Sequence, residues 1–295
     1  MHRYLRAVGF SRIETKLQEV RLLKSMEKAP VFGGIGHEEH EQSYMELLCE
    51  VGHGIGVILH GYRDTEGRFQ REYYFPYMEG LIMTPMEGCH IRRHKDKESY
   101  AVLSEEYRLG SALIFFLMNG IEYRERREQK KSSELAGCYL TGISTKGTIL
   151  LPVQKTERQI QKIKASTRER DQMMEAARDG DEEAMENLTI EDITLYSQIS
   201  RRMLKEDVYS IVDSCFMPTG VECDHYMVIG DITKIDQIQN TWTQEIVYRL
   251  QIVCNGIDIS ICINNRDLLG QPEVGRRFKG DIWLQGYGVF KEYEK

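Results

Sequence analysis

No stretch of this sequence is apolar for long enough to span a bilayer. The longest run, Ala112 to Met118, falls far short of the roughly 20 residues that a membrane helix needs. The first residues lack the apolar segment of a secretory signal, since Met1 is followed by His2, Arg3 and Tyr4 and then a mixed polar stretch. Positive charge is in deficit: 39 Lys and Arg face 46 Asp and Glu, and the net charge of −7 gives no global attraction to phosphate backbones or anionic lipid. The 7 cysteines are an odd number scattered through a long chain, which argues for reduced thiols over a disulfide framework. The expectation is a soluble, cytoplasmic protein with no membrane partner, and with nucleic acid disfavoured as a partner by net charge.

What is present is enough apolar material to fold. Of 295 residues, 41% are hydrophobic and 29% charged, and the length exceeds the roughly 100–150 residues of one typical domain. Ser11 and Glu14 fit a capping box for a helix from about Ser11 to Met26, striped by Ile13, Leu17, Val20 and Leu23. Met45–Val51, Gly56–Tyr62 and Phe69–Tyr77 read as antiparallel strands, the last two joined through a polar connection ending at Gly67. Cys89–His94 and Ser99–Leu103 read as a hairpin, Ser111 as the cap of an apolar helix reaching about Arg126, and Leu135–Ser144 with Thr148–Val153 as a closing hairpin turned at Thr145-Lys146-Gly147.

From Thr156 to Asp207 long charged side chains dominate, as on exposed or bundled helices, with Asp181 able to cap one helix and Thr189 with Asp192 to start another. From Val208 the pattern turns to five strands, with Asn255-Gly256 as a type I′ hairpin signal. The fold class read from this is α+β: an N-terminal antiparallel sheet with packed helices over 1–154, a charged helical middle segment over 155–207, and a small β-barrel, OB-like, over 208–295.

Three stretches, MHRYLRAVGFS at the start, EDVYSIVDSCFMPTGVECDHYMVIGDI in the middle and NNRDLLGQPEVGRRFKGDIWLQGYGVF at the end, resemble a domain-of-unknown-function family of clostridia-like Firmicutes. The resemblance covers nearly the whole chain and implies a bacterial cytoplasmic protein. It carries no catalytic residue, cofactor or substrate with it.

Several side-chain groups invite a functional reading. Gly52-His53-Gly54-Ile55-Gly56 follows a strand and precedes another, so a hairpin or bulge suits it better than a phosphate loop, which must open a helix. Cys89, His90 and His94 are metal-capable, but Arg92, Arg93 and Lys95 set positive charge beside them; no metal is assigned, and Arg92 with His94 are kept as a candidate anion contact. Cys223 and His225 share a face of an extended segment without a catalytic frame, and the acidic run at Asp179, Asp181, Glu182 and Glu183 fits helix capping. Arg124, Arg126, Arg127, Lys130 and Lys131 interleave with Glu122, Glu125 and Glu128 as on a solvated helix.

The strongest hint is in the tail. Arg276, Arg277 and Lys279 stand beside Phe278, Trp283 and Tyr287, a pairing of charge and stacking surface that single-strand nucleic-acid binders use. Against it, residues 208–295 carry 8 basic and 12 acidic side chains, and Trp283 suits a core. The reading is therefore a non-catalytic protein-interaction or regulatory protein with no cofactor and no assigned catalytic residue. The alternatives are single-stranded nucleic-acid binding through Arg276, Arg277, Lys279 and Tyr287, and an enzyme or small-molecule binder with a pocket between domains.

Overall fold

The computed structural model describes residues 3–28, 32–39, 42–86, 88–95, 98–106, 111–153, 180–203, 212–221 and 223–292, with scattered positions between 169 and 177. The protein is mostly β, and this corrects the expected fold class: its principal element is a large mixed sheet, in place of a helical middle and a small OB-like barrel. A first, smaller sheet is an antiparallel meander of β1 (Phe32–Glu39), β2 (Gln42–Gly52), β3 (Ile55–Arg63) and β4 (Phe69–Met78). The second has eleven strands drawn from both halves of the sequence. From the front half come β5 (Met83–Pro85), β6 (His90–Arg93), β7 (Tyr100–Glu106), β8 (Ser111–Leu117) and β9 (Leu135–Leu150). The back half supplies β10 (Cys215–Pro218), β11 (His225–Gln239), β12 (Ile246–Cys254), β13 (Ile257–Asn264), β14 (Leu268–Leu269) and β15 (Arg277–Phe290).

The strand β9 explains the correction. It pairs in parallel with β13 and antiparallel with β15, so the tail's strands join a front-half strand. β15 in turn pairs with β11, which continues through β12 to β13 and closes a ring of ladders. A bulge between Ile232 and Lys234 marks where β11 leaves β15 and takes up β12. Inside the ring lie Val228, Leu250, Ile252, Ile259, Ile261, Phe278, Ile282 and Leu284, all at most 1% exposed. Parallel pairing of strands far apart in sequence has no local signature, which is why the tail reads as self-contained from sequence alone.

Three further expectations are revised. Thr145-Lys146-Gly147 is no turn: β9 passes through it with a bulge, Ser144 pairing with Ile282 and Gly147 with Gly280 on one side and Leu268 on the other. The apolar run after Ser111 is the strand β8, paired with β7 and β15, and the helix α2 (Gly120–Glu128) begins only after it. The first helix, α1 (Lys16–Lys28), starts one turn later than expected. Thr15 and Gln18 form its reciprocal cap, whereas Ser11 donates from Oγ to Glu245 at 2.7 Å.

Other expectations hold as read. Asn255 and Gly256 both have positive φ, at 50° and 75°, in the β12–β13 turn. The Gly52–Gly56 segment is a hairpin with a bulge between Glu50 and Gly52. Asp181 Oδ1 accepts the amides of Glu183 and Ala184 at the start of α3 (Glu182–Met203). The separate helix start expected at Thr189 and Asp192 is not found, because α3 runs through both as one helix. The remaining expectations for 155–179 and 204–211 fall largely outside the described residues. Among the described residues no helix is long and apolar enough to cross a membrane.

A 3-10 turn at Arg3–Val8 ties the small sheet to the ring. Asn240 and Asn264 donate side-chain amides to the Val8 and Arg6 carbonyls at 2.7 and 3.0 Å, and Arg6 pairs with Asp267. Around this strap a second apolar core gathers Leu5, Val8, Leu23, Met26, Val57, Leu59, Phe116 and Trp283.

Candidate ligand cavity

Strands show alternate residues to opposite faces, and the small sheet uses its two faces differently. Met45, Leu47, Cys49, Val51, Val57 and Leu59 are buried in the apolar core with Leu23 and Met26 of α1. The opposite face meets the large sheet: Phe75 packs edge-on against Phe116 at 4.8 Å, and Tyr73 donates to the Glu98 carbonyl at 2.7 Å. Across β2, β3 and β4 this face sets Glu46, His60 and Tyr73 side by side, with Leu48, Ile58 and Phe75 in the next row.

A cavity of about 560 Å³ opens on this face. One wall is Glu46, Leu48, Ile58 and Tyr77 of β2–β4, with Glu79 and Gly80 just beyond. Met118 and Asn119, with Ile121, Glu122 and Glu125 of α2, form a second wall; Tyr139 and Tyr287, a facing pair on β9 and β15, form the third. Gly80 permits the close approach of the chain after β4 to β9, since a Cβ there would lie 2.9 Å from the Tyr139 Cβ. Asn119 fixes the start of α2: its Nδ2 donates to the Gly288 carbonyl and to Glu122 Oε2, and its Oδ1 accepts the Gly288 amide, each at 2.9 Å. Residues 121 and 125 are four apart on that helix, so Ile121 and Glu125 face the cavity together.

The electrostatics are one-sided. Four glutamates line the cavity and none of the described lining residues is basic. Glu122 is held by Asn119 and by Arg126, 3.3 Å from its carboxylate. Glu46 has no hydrogen-bond or ion-pair partner among the described residues. Burial, and secondarily Glu125, push its carboxyl up to about 8, so at neutral pH it keeps its proton. Beside it, His60 is 1% exposed and stacks on Tyr73 with ring centroids 4.5 Å apart, and neither ring nitrogen has a hydrogen-bond partner among the described residues. Burial, then Arg124, lower its pKa to about 4 and keep it neutral. Arg124 itself is buried, lies over the Tyr44 ring at 4.6 Å and pairs with Glu128 at 2.8 Å.

Of the candidate binding residues read from sequence, Tyr287 alone reaches this cavity. The others are dispersed. Arg277 is 4% exposed and donates to the carbonyls of Leu151 and Val212 at 2.7–3.0 Å, which ties β15 to the chain flanking the undescribed segment. Arg276 pairs with Glu273 at 2.8 Å, and Lys279 is half-buried near the start of β15. Phe278 and Trp283 are in the cores, with the indole N–H donating to Asp224 at 2.7 Å. Arg92 is exposed on β6, while His94 Nδ1 lies 2.9 Å from Ser99 Oγ.

Cys223 Sγ contacts the backbone carbonyl of His225, whose ring pairs with Asp224 at 2.8 Å. All seven cysteines carry free thiols, and burial pushes those of Cys49, Cys254 and Cys262 up to about 11, 12 and 12, away from nucleophilic thiolate.

Sequence reasoning missed Glu46, Tyr77 and Tyr139, and it placed Glu122 and Glu125 on a solvated face. Glu46 alternates with apolar residues as a solvent-facing strand residue would, so only the packing of α2 against β2 reveals that it lines a cavity. No curated protein and no solved structure matches the chain. A family profile described as "Domain of unknown function, E. rectale Gene description (DUF3881)" matches residues 5–286, in agreement with the resemblance of the three sequence stretches, and the chain belongs to that family.

Proposed function

We propose that this protein binds a small organic molecule in the cavity between its two sheets. The observation that carries the reading is the cavity itself: about 560 Å³, within the range of ligand pockets, with apolar walls and a few convergent polar groups. The described lining residues include no serine, threonine, cysteine, lysine or histidine, the side chains that most often open covalent catalysis, so binding is the better-supported activity. The protein-interaction reading rests on missing motifs. The nucleic-acid reading needs Arg276, Arg277 and Lys279 on one open surface, and Arg277 is spent on backbone carbonyls.

The test is a thermal-shift screen of the full chain against a charge-diverse metabolite library, repeated on Leu48→Trp, which fills the cavity from β2. A ligand of this site raises the melting temperature progressively with its concentration in the wild type and not in the variant. No concentration-dependent shift, or equal shifts in both proteins, would contradict the proposal.

A further inference from the structure

We infer that the cavity takes an organic ammonium ion, a small amine whose nitrogen sits against Glu46 and Glu125 and whose carbon body lies among Tyr77, Tyr139 and Tyr287. This rests on the cavity reading above and names the class of ligand. Three independent features converge on it. Glu46 and Glu125 line a partly open recess whose described lining residues include no basic side chain, and the described residues give neither carboxylate a hydrogen-bond or ion-pair partner, so a cation that pairs with them comes from outside the fold. An isolated carboxylate in an apolar recess is unfavourable, and a fitting positive charge offsets that cost. The walls carry three tyrosine rings, whose faces attract cations and whose edges pack against carbon. Among the described residues no three acidic, histidine or cysteine side chains come close enough to hold a metal ion. The carboxylates stand around a volume sized for an organic cation.

The proton balance follows from the groups around Glu46. Glu125 of α2 faces it, His60 is its neighbour on β3, Tyr73 of β4 and Tyr287 of β15 feel its charge, and Arg124 of α2 stands over the neighbouring Tyr44. His60 is neutral above about 4 and both tyrosines are pushed up, chiefly by burial, so between pH 6 and 8 Glu46 changes charge while His60 and the two tyrosines do not. An ammonium ion entering from solution therefore displaces the Glu46 carboxyl proton to the buffer and leaves an ammonium–carboxylate pair.

The experiment is calorimetric titration of the full chain with three probes of one shape: phenethylamine, 2-phenylethanol and phenylacetate. Phenethylamine is expected to bind at least about tenfold tighter than the other two, with proton release and an affinity that rises by up to about tenfold per pH unit below pH 8. Glu46→Gln and Glu125→Gln each weaken the amine at least about tenfold and leave the alcohol unchanged. Should a variant fail to fold, the pH dependence in the wild type decides alone. Equal or tighter binding of the alcohol or acid, no binding of the amine, or an amine affinity flat from pH 6 to 8 would overturn the ammonium assignment. The cavity reading would then still stand or fall on the library screen and Leu48→Trp.

Discussion

The two faces of one small sheet divide the work of the molecule. Toward α1, the alternate residues Met45, Leu47, Cys49, Val51, Val57 and Leu59 are apolar and at most 8% exposed. Toward the large sheet, the intervening positions place Glu46, His60 and Tyr73 in one row and leave a cavity beside them. The first face stabilises: close-packed apolar burial has no polar group to satisfy. The second carries groups that disfavour the ligand-free fold, a carboxyl driven to hold its proton and an imidazole driven to lose its own. Polar side chains retained in an interior at such a cost mark the face where function is to be sought.

The sharpest way to break this comparison is to truncate one leucine on each face. Leu59, fully buried on the α1 side, is expected to cost about 2–5 kcal/mol as Leu59→Ala, the range for deleting core leucine side chains. Leu48 already borders empty space, and Leu48→Ala is expected to cost about 1 kcal/mol or less. Urea denaturation of both variants measures the difference; equal losses would mean that the two faces are packed alike.

A smaller effect separates the buried imidazole from its surroundings. His60 stays neutral in the folded protein down to about pH 4, while the unfolded chain takes up its proton near the usual 6.5. The unfolded state thus binds more protons in this window, and the stability contributed by neutral His60 is lost as pH falls from 6.5 to 4, by up to about 3 kcal/mol. His60→Phe, which keeps a ring against Tyr73, is expected to remove that part of the acid sensitivity. An unchanged pH profile of denaturation midpoints between 4 and 6.5 would show that His60 is not desolvated as described.

How much of this was readable from sequence follows from how local each cause is. The strands β2, β3, β11, β12 and β13 announce themselves by branched and aromatic residues, and the turns at Gly67 and Asn255-Gly256 by residues that tolerate positive φ, at 78°, 50° and 75°. The run Ala112–Met118 is apolar on every side, a pattern that a buried strand and a buried helix share, and the neighbours β7 and β15 decide in favour of the strand. Thr145-Lys146-Gly147 carries turn chemistry, yet ladders on both sides pair Ser144 and Gly147 and reduce it to a bulge within one strand. The cavity was invisible for a related reason. Glu46 and Glu125 each obey the rule for an exposed position on their own element, and only the contact between those elements makes them a site.

The account rests most heavily on the state of one carboxyl group, which carbon-detected NMR can follow through a pH titration of the ligand-free protein and again with phenethylamine bound. Glu46 should titrate near 8 alone and move down toward the ordinary glutamate range near 4.5 when the amine is present. A Glu46 carboxyl that titrates near 4.5 in both samples would mean that it is open to bulk water, and the cationic guest would not survive that result.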